Sequence, residues 1–138
     1  MIKRKDNLTN ILILIVSLLL ICFSFYLWFS RPLEVRFLDV SFIVGNKMGF
    51  DLNSSSLTFG IVLPGSAGVK TVLIENNYDF PVKLRVLVSK ELRGFIFSDS
   101  EIIILSKGVV PVDFTLILPA EIALGNYSGK LMFEFRKV

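Results

Sequence analysis

The sequence contains no histidine, and its 138 residues include a single cysteine, Cys22. Cys22 lies inside a long apolar run, so the rest of the chain has no disulfide, no thiol nucleophile and no Cys/His metal site. Without histidine, the Ser-His and Cys-His pairs of nucleophilic catalysis cannot form. These absences predict a chain without catalytic residues, metal or cofactor, whose folded part is held together by packing alone.

Motifs for phosphate or calcium binding are also missing: the sequence has no GxGxxG, no GxxxxGK[ST] and no DxDxDG-type loop. Two weaker patterns have plain structural interpretations. Ser128-Gly129-Lys130 is expected to be a strand start with a surface lysine, and Asp99 with Glu101 to form a solvated turn.

The formal net charge is +3, but Lys3, Arg4, Lys5 and Asp6 supply +2 of it. The remainder is near neutral, which argues against nucleic-acid binding.

Residues 11–29 form an apolar run with no charge, glycine or proline. As one helix, such a run is long enough to cross a bilayer. The basic residues before it predict a cytoplasmic N-terminus by the positive-inside rule, and Tyr26 and Trp28 suit the far headgroup layer. We therefore expect a basic leader over 1–10, a transmembrane signal-anchor helix in contact with lipid over 11–30, a linker over 31–33 and an extracytoplasmic domain over 34–138, all in the cell membrane.

Three other interpretations of this segment compete with an uncut span. A cleaved signal peptide needs small residues at its cleavage site, whereas the run here ends in bulky side chains. A lipoprotein signal needs a small residue before the cysteine, and Ile21 stands there. A basic leader before an apolar helix and a β-domain resembles archaeal pilins and archaellum subunits, but those are cut after Gly or Ala, and Leu8-Thr9-Asn10 precedes this helix.

From Glu34 onward, apolar and polar residues alternate with the period of two that is typical of half-buried strands. Turn residues recur every 8–15 residues, as in sandwiches of short strands. The pattern predicts strands near 34–44, 57–63, 69–76, 81–89, 94–98, 101–105, 109–118 and 127–137. The first strand changes phase between Phe37 and Val40, which predicts a bulge near Leu38 or Asp39, or a strand that switches sheets.

These residues carry a family resemblance, which covers about residues 57–137. The pattern consists of Leu57-Thr-Phe-Gly60, Pro64-Gly65, Val72-Leu-Ile-Glu-Asn76, Phe80-Pro81-Val82, Val112, Leu116, Pro119 and Gly125-x-Tyr127-x-Gly129-x-Leu131. It resembles the Ig-like modules related to the PapD, major-sperm-protein and ASH group. The resemblance implies an all-β, Ig-like Greek-key sandwich of seven or eight strands. It implies no catalytic residue, because such modules in prokaryotic surface proteins bind or space other proteins.

Several residues of this pattern have structural explanations. Gly65, like Gly68, permits the backbone angles of a tight turn. Pro81 starts a strand, where its missing N–H matters least. Gly125 belongs to a turn, and Tyr127 is a candidate tyrosine-corner residue whose hydroxyl bonds the backbone.

Two sequons lie on the predicted outer side of the membrane. The candidate glycosylation acceptors are Asn53 and Asn126. Asn53 lies in a polar loop and is the better of the two sites.

Two segments are unusually apolar, Gly94-Phe95-Ile96-Phe97 and Ile102-Ile103-Ile104-Leu105. They are either strands buried on both faces or an edge that accepts a partner. The leading functional hypothesis is a single-pass, non-enzymatic module for protein–protein interaction or envelope structure, with a protein partner at the outer membrane surface. The alternative is a pilin-like or archaellum-stator-like filament subunit.

Overall fold

A computed structural model describes residues 3–47 and 56–138, with side chains from residue 7 onward. One helix, α1 (Lys3–Phe29), is followed by eight strands in the described chain. The strands are β1 (Glu34–Val44), β2 (Leu57–Val62), β3 (Ala67–Glu75), β4 (Val82–Val88), β5 (Ile96–Phe97), β6 (Glu101–Ile104), β7 (Val109–Ile117) and β8 (Gly125–Lys137). The chain divides into two compact units, Met1–Arg31 and Pro32–Val138.

The strands form two sheets. The larger sheet has the order β2-β1-β8-β4-β6, and the smaller has the order β3-β7-β5. Only β1 and β2 pair in parallel; the other described pairs are antiparallel. The prediction of an all-β domain after one N-terminal apolar helix is confirmed, and each strand begins and ends within two residues of its predicted position.

The two sheets share one core, because the alternating buried side chains of both belong to a single cluster. Phe114 of the smaller sheet and Phe133 of the larger meet edge to face, with ring centroids 6.1 Å apart. Phe42, Leu84, Phe114 and Phe135 are fully buried or nearly so. Burying such side chains is the main source of stability in a domain without disulfides, at about 1.5–3 kcal/mol each.

The prediction of a bulge at Leu38 or Asp39 is wrong. β1 pairs with β8 in unbroken register from Glu34 opposite Phe135 to Val44 opposite Gly125, so the strand does not switch sheets. The irregularity in β1 lies later, between Ser41 and Ile43, and faces β2. Because the phase never changes, Val35 and Phe37 lie on the outer face of the sheet, where the Phe37 side chain is 63% exposed.

Candidate membrane anchor and interaction surfaces

Helix α1 carries the membrane-anchor prediction. Its segment Asn7–Phe29 comprises 23 residues and is apolar enough to cross a membrane, and none of it is buried against other parts of the protein. At 1.5 Å per residue it is about 35 Å long, somewhat more than a hydrocarbon core of about 30 Å. The helix begins at Lys3, so the described part of the basic leader continues the same helix.

Two serine hydroxyls, one in the apolar helix and one just after it, bond to the helix backbone. The Ser17 hydroxyl donates to the Leu14 carbonyl at 2.9 Å, and the Ser30 hydroxyl donates to the Tyr26 carbonyl at 2.8 Å. In a bilayer no water is present to satisfy such groups, so bonds within the helix remove a penalty that would oppose insertion. These two hydroxyls therefore add little to the cost of placing the helix in lipid.

The outer face of the smaller sheet is apolar and exposed. On β3, Val69 is 61% exposed and Leu73 is 71% exposed. Leu73 lies opposite Pro111 on β7, and Val69 lies opposite Thr115, which in turn pairs with Phe97 on β5. We call Val69, Leu73, Phe97, Pro111 and Ile117 the β3–β7 face. Exposed apolar patches of this kind are typical of interaction surfaces.

One polar pair interrupts the β3–β7 face. The Thr71 hydroxyl donates to the Asp113 carboxylate at 2.6 Å, directly across the two strands. β3 is also an edge strand of its sheet. Lys70 on β3 belongs to the inward-facing, half-buried set of side chains, and an inward charge on an edge strand disfavours unspecific pairing of that edge.

The two apolar segments singled out in the sequence are both edge strands. β6 is the edge of the larger sheet and β5 of the smaller. Ile96 and Ile104 are buried, whereas Phe97, Ile103 and Leu105 are 49%, 57% and 70% exposed. The segments are thus buried on one face only and leave apolar side chains on the outside.

A charged and aromatic cluster lies where β1 begins. The Arg36 guanidinium donates to both oxygens of Glu34, with Nε–Oε1 at 2.6 Å and Nη2–Oε2 at 3.1 Å. The Tyr78 hydroxyl reaches the same carboxylate at 3.4 Å, and the Arg36 Cζ lies 4.6 Å from the centre of the Phe135 ring. The hydrogen bond from Arg36 holds the pKa of the Glu34 carboxyl below its usual value, and Glu34 likewise raises the pKa of Arg36. The cluster closes one end of the core with a satisfied ion pair.

The turn residues named from the sequence lie at strand boundaries. Gly65 has a φ of 73°, a left-handed conformation that favours glycine, and its N–H donates to the Pro119 carbonyl. Pro81 immediately precedes β4, and Gly125 begins β8. Gly68 lies within β3 and has no positive φ, so its expected role in a tight turn is wrong.

Tyr127 bonds the backbone four residues upstream. Its hydroxyl donates to the Ala123 carbonyl at 2.9 Å, the type of bond that defines a tyrosine corner. Its ring also stacks on Phe42, the residue opposite it in β1, with centroids 5.1 Å apart. The candidate acceptor Asn126 is exposed beside it, whereas Asn53 lies outside the described residues.

The weak catalytic patterns do not form a constellation. Glu101 pairs with Lys83 at 3.0 Å, and Lys130 lies 3.9 Å from Asp39. Within 3–47 and 56–138, no group of three or more His, Cys, Asp or Glu side chains could hold a metal ion. A depression beside β1 and β8 is lined by Asp39, Ser41, Ser128 and Lys130, and among its described lining residues this exposed, paired lysine is the one cation.

Comparison of the chain with known protein families, with curated proteins and with solved structures gives no match in any of the three. The functional interpretation therefore depends on the physical features above. Sequence reasoning missed the β3–β7 face, and the missed signal was that Val72-Leu73-Ile74 breaks the alternation, which places apolar side chains on both faces of β3.

Proposed function

We propose that the chain is a single-pass membrane-anchored, non-enzymatic module. Its Ig-like Greek-key sandwich binds a protein partner at the extracytoplasmic surface of the cell membrane. The observation that carries the proposal is the contrast between the two units: α1 is apolar and unburied over Asn7–Phe29, while the β unit has its own core. A helix with that much exposed apolar surface is more stable in bilayer lipid than in water.

The anchor is tested by making the helix polar. Replacing Leu14 and Leu18 by arginine places two charges mid-span, at about 2.5–3.5 kcal/mol each on insertion scales. The unmodified chain should remain in the membrane pellet after alkaline extraction, and the double variant should not. The matched control carries arginine at Leu73 and Val69, which are equally apolar but lie on the β unit, and it should stay in the pellet. An unmodified chain in the soluble fraction would refute the anchor.

Orientation and processing are tested on the same material. Protease added to sealed cells should remove the β unit and spare the N-terminal flank. Mass spectrometry should find an intact Met1–Asn10 segment. A mature chain that begins at the apolar helix would instead favour the filament-subunit alternative.

The partner is tested at the β3–β7 face. A photo-cross-linking residue at Leu73, activated in intact cells, should give an adduct with one defined envelope or membrane protein. The control position is Lys90, which is exposed but belongs to a polar turn. Equal adducts at both positions, or none at Leu73, would contradict binding through this face.

A further inference from the structure

The connection between α1 and the β unit is very short. The Ser30 and Arg31 N–H groups still donate to Tyr26 and Trp28 of the helix, at 3.1 and 3.4 Å. The Leu33 N–H already donates to Phe135 of β8 at 2.7 Å. Only Pro32 lies between the last residue bonded to the helix and the first bonded to the β unit, and this connection spans at most roughly 7 Å from Arg31 to Leu33.

Leu33 belongs to a definite end of the β unit, which we call the proximal end. Strand register places the start of β4 beside Lys137 and beside Ile104, the end of β6. The loops at 76–81 and 105–108 meet there, because the Asn76 N–H donates to the Gly108 carbonyl at 2.9 Å. The proximal end thus comprises Leu33, Glu34, the loops 76–81 and 105–108, Val109 and Lys137.

The surface of the proximal end combines apolar and cationic groups. Leu105 is 70% exposed, Val109 54% and Leu33 43%. Lys137 lies over the Phe80 ring at 5.1 Å and has no carboxylate within 4 Å in the described chain. Lys107 within this end is paired with Asp79, and Arg36 just beside it is paired with Glu34. Glu75, which directly precedes the loop at 76–81, is a carboxylate without such a pair among the described residues. Exposed aliphatic groups beside cations suit the boundary between headgroups and acyl chains.

We propose that the proximal end rests in the phospholipid headgroup layer, with Leu105 and Val109 reaching the acyl boundary and Lys137 beside lipid phosphate. The inference depends on the proposed membrane anchor, because a span that ends at Phe29 keeps Leu33 at the lipid surface. The short connection therefore brings the bilayer, and no additional protein, into contact with the proximal end.

The test uses the full chain with an environment-sensitive fluorophore in phospholipid nanodiscs. In a Cys22→Ser background, Leu105→Cys is labelled with the fluorophore NBD. Its emission should shift to the blue and be quenched when nitroxide-labelled lipid is included. The matched control is Leu124→Cys, because Leu124 is 57% exposed and directly precedes β8, whose first residue pairs with the far end of β1. Its emission should show neither effect. Val109→Cys serves as a second reporter of the proximal end should Leu105→Cys fail to fold.

A third label separates failure of this inference from failure of the anchor. On the unmodified chain, Cys22 is labelled inside the apolar helix. Quenching at Cys22 and Leu105 but not at Leu124 supports the inference. Quenching at Cys22 with equal behaviour of Leu105 and Leu124 overturns it and leaves the anchor standing. A blue shift at Leu105 without lipid quenching means protein contact and also overturns it, while an unquenched Cys22 refutes the anchor itself.

Discussion

At the scale of single residues, Asn76 shows how a polar side chain can hold the fold together. It is fully buried, and its amide Nδ2 donates to the carbonyls of Phe80 and Leu105 at 2.9 Å and lies 3.3 Å from that of Ile104. Its Oδ1 accepts from the Tyr78 N–H at 3.0 Å. One buried side chain thus bonds backbone groups of two loops, those at 76–81 and 105–108, and satisfies its own polar atoms in doing so.

Replacing Asn76 by alanine should therefore destabilise the β unit strongly. The bonds from one side chain to four backbone groups are lost at once, and we expect a loss of about 3 kcal/mol. Denaturation of the full chain in detergent, followed by near-UV circular dichroism, measures the loss. Asn77→Ala is the control, because the Asn77 side chain is exposed, and it should change stability by less than about 0.5 kcal/mol. Similar losses for the two variants would show that Asn76 is not the bridging residue.

Alanine substitutions at two strand glycines, Gly129 and Gly68, should have opposite effects on the stability of the β unit. A Cβ at Gly129 would lie 2.4 Å from the Ser89 Oγ and 2.8 Å from Leu92, whereas a Cβ at Gly68 would meet only the Phe59 ring at 3.7 Å. Gly129→Ala should destabilise the β unit by about 1–3 kcal/mol through overpacking. Gly68→Ala should be neutral or stabilising by up to about 1 kcal/mol, because it restricts the unfolded chain. The same denaturation measurement compares the two variants. If Gly129→Ala left the stability of the β unit unchanged, the close packing of Gly129 against Ser89 and Leu92 would be contradicted.

At the scale of elements, the alternation of apolar and polar residues and the turn residues predicted the eight strands of the described chain. Both signals follow from backbone geometry and need no tertiary information. The phase of β1 was wrong for a physical reason. Treating Val35 and Phe37 as buried assumed that apolar residues face the core, but folded proteins leave much apolar surface outside. Which face of a strand is buried depends on the elements that pack against it, and a single sequence does not show which elements those are. The β3–β7 face was missed for the same reason.

The phase of β1 can be checked with two phenylalanines in the same strand. Phe42 is 1% exposed and Phe37 is 63% exposed. Phe42→Ala should destabilise the β unit by about 3–5 kcal/mol, the usual loss for a core phenylalanine. Phe37→Ala should lose less than about 1 kcal/mol, because Phe37 is mostly exposed and loses chiefly its cross-strand pairing with Met132. Comparable losses in chemical denaturation would restore the predicted bulge and place Phe37 in the core.

The ion pair at the start of β1 predicts an acid dependence. The Glu34 pKa is lowered by Arg36 from a usual value of 4.5. The pair's stabilisation is therefore complete above about pH 4.5 and is lost as the pH falls through the lowered folded-state pKa. Both side chains are 35% exposed, so we expect a contribution of at most about 1 kcal/mol. Glu34→Gln should flatten the decline of stability between pH 5 and 3, as measured by melts across that range, and Glu121→Gln, at an exposed position, should not.

At the scale of the whole molecule, the proposed function depends on the short connection between an apolar helix and a β unit. The apolar helix was predictable, since the length and composition of the run suffice for it. The surface chemistry of the proximal end was not, because it assembles residues from β1, β8 and two loops that are far apart in sequence. The proposed lipid contact of the proximal end depends on this connection, in which only Pro32 separates the last N–H bonded to the helix from the first N–H bonded to the β unit.

Lengthening that connection should release the proximal end from the membrane. Twelve Gly and Ser residues inserted between Arg31 and Pro32 would behave as a flexible coil with a mean end-to-end distance of about 20 Å. Partial burial of Leu105 and Val109 is worth about 2 kcal/mol, too little to hold the β unit on lipid once that freedom is available. The fluorophore at Leu105→Cys should then lose most of its quenching by nitroxide lipid, while the denaturation midpoint of the β unit stays unchanged. Undiminished quenching in the lengthened chain would show that the short connection does not govern the contact, and a lowered midpoint would show that Arg31 and Pro32 belong to the fold itself.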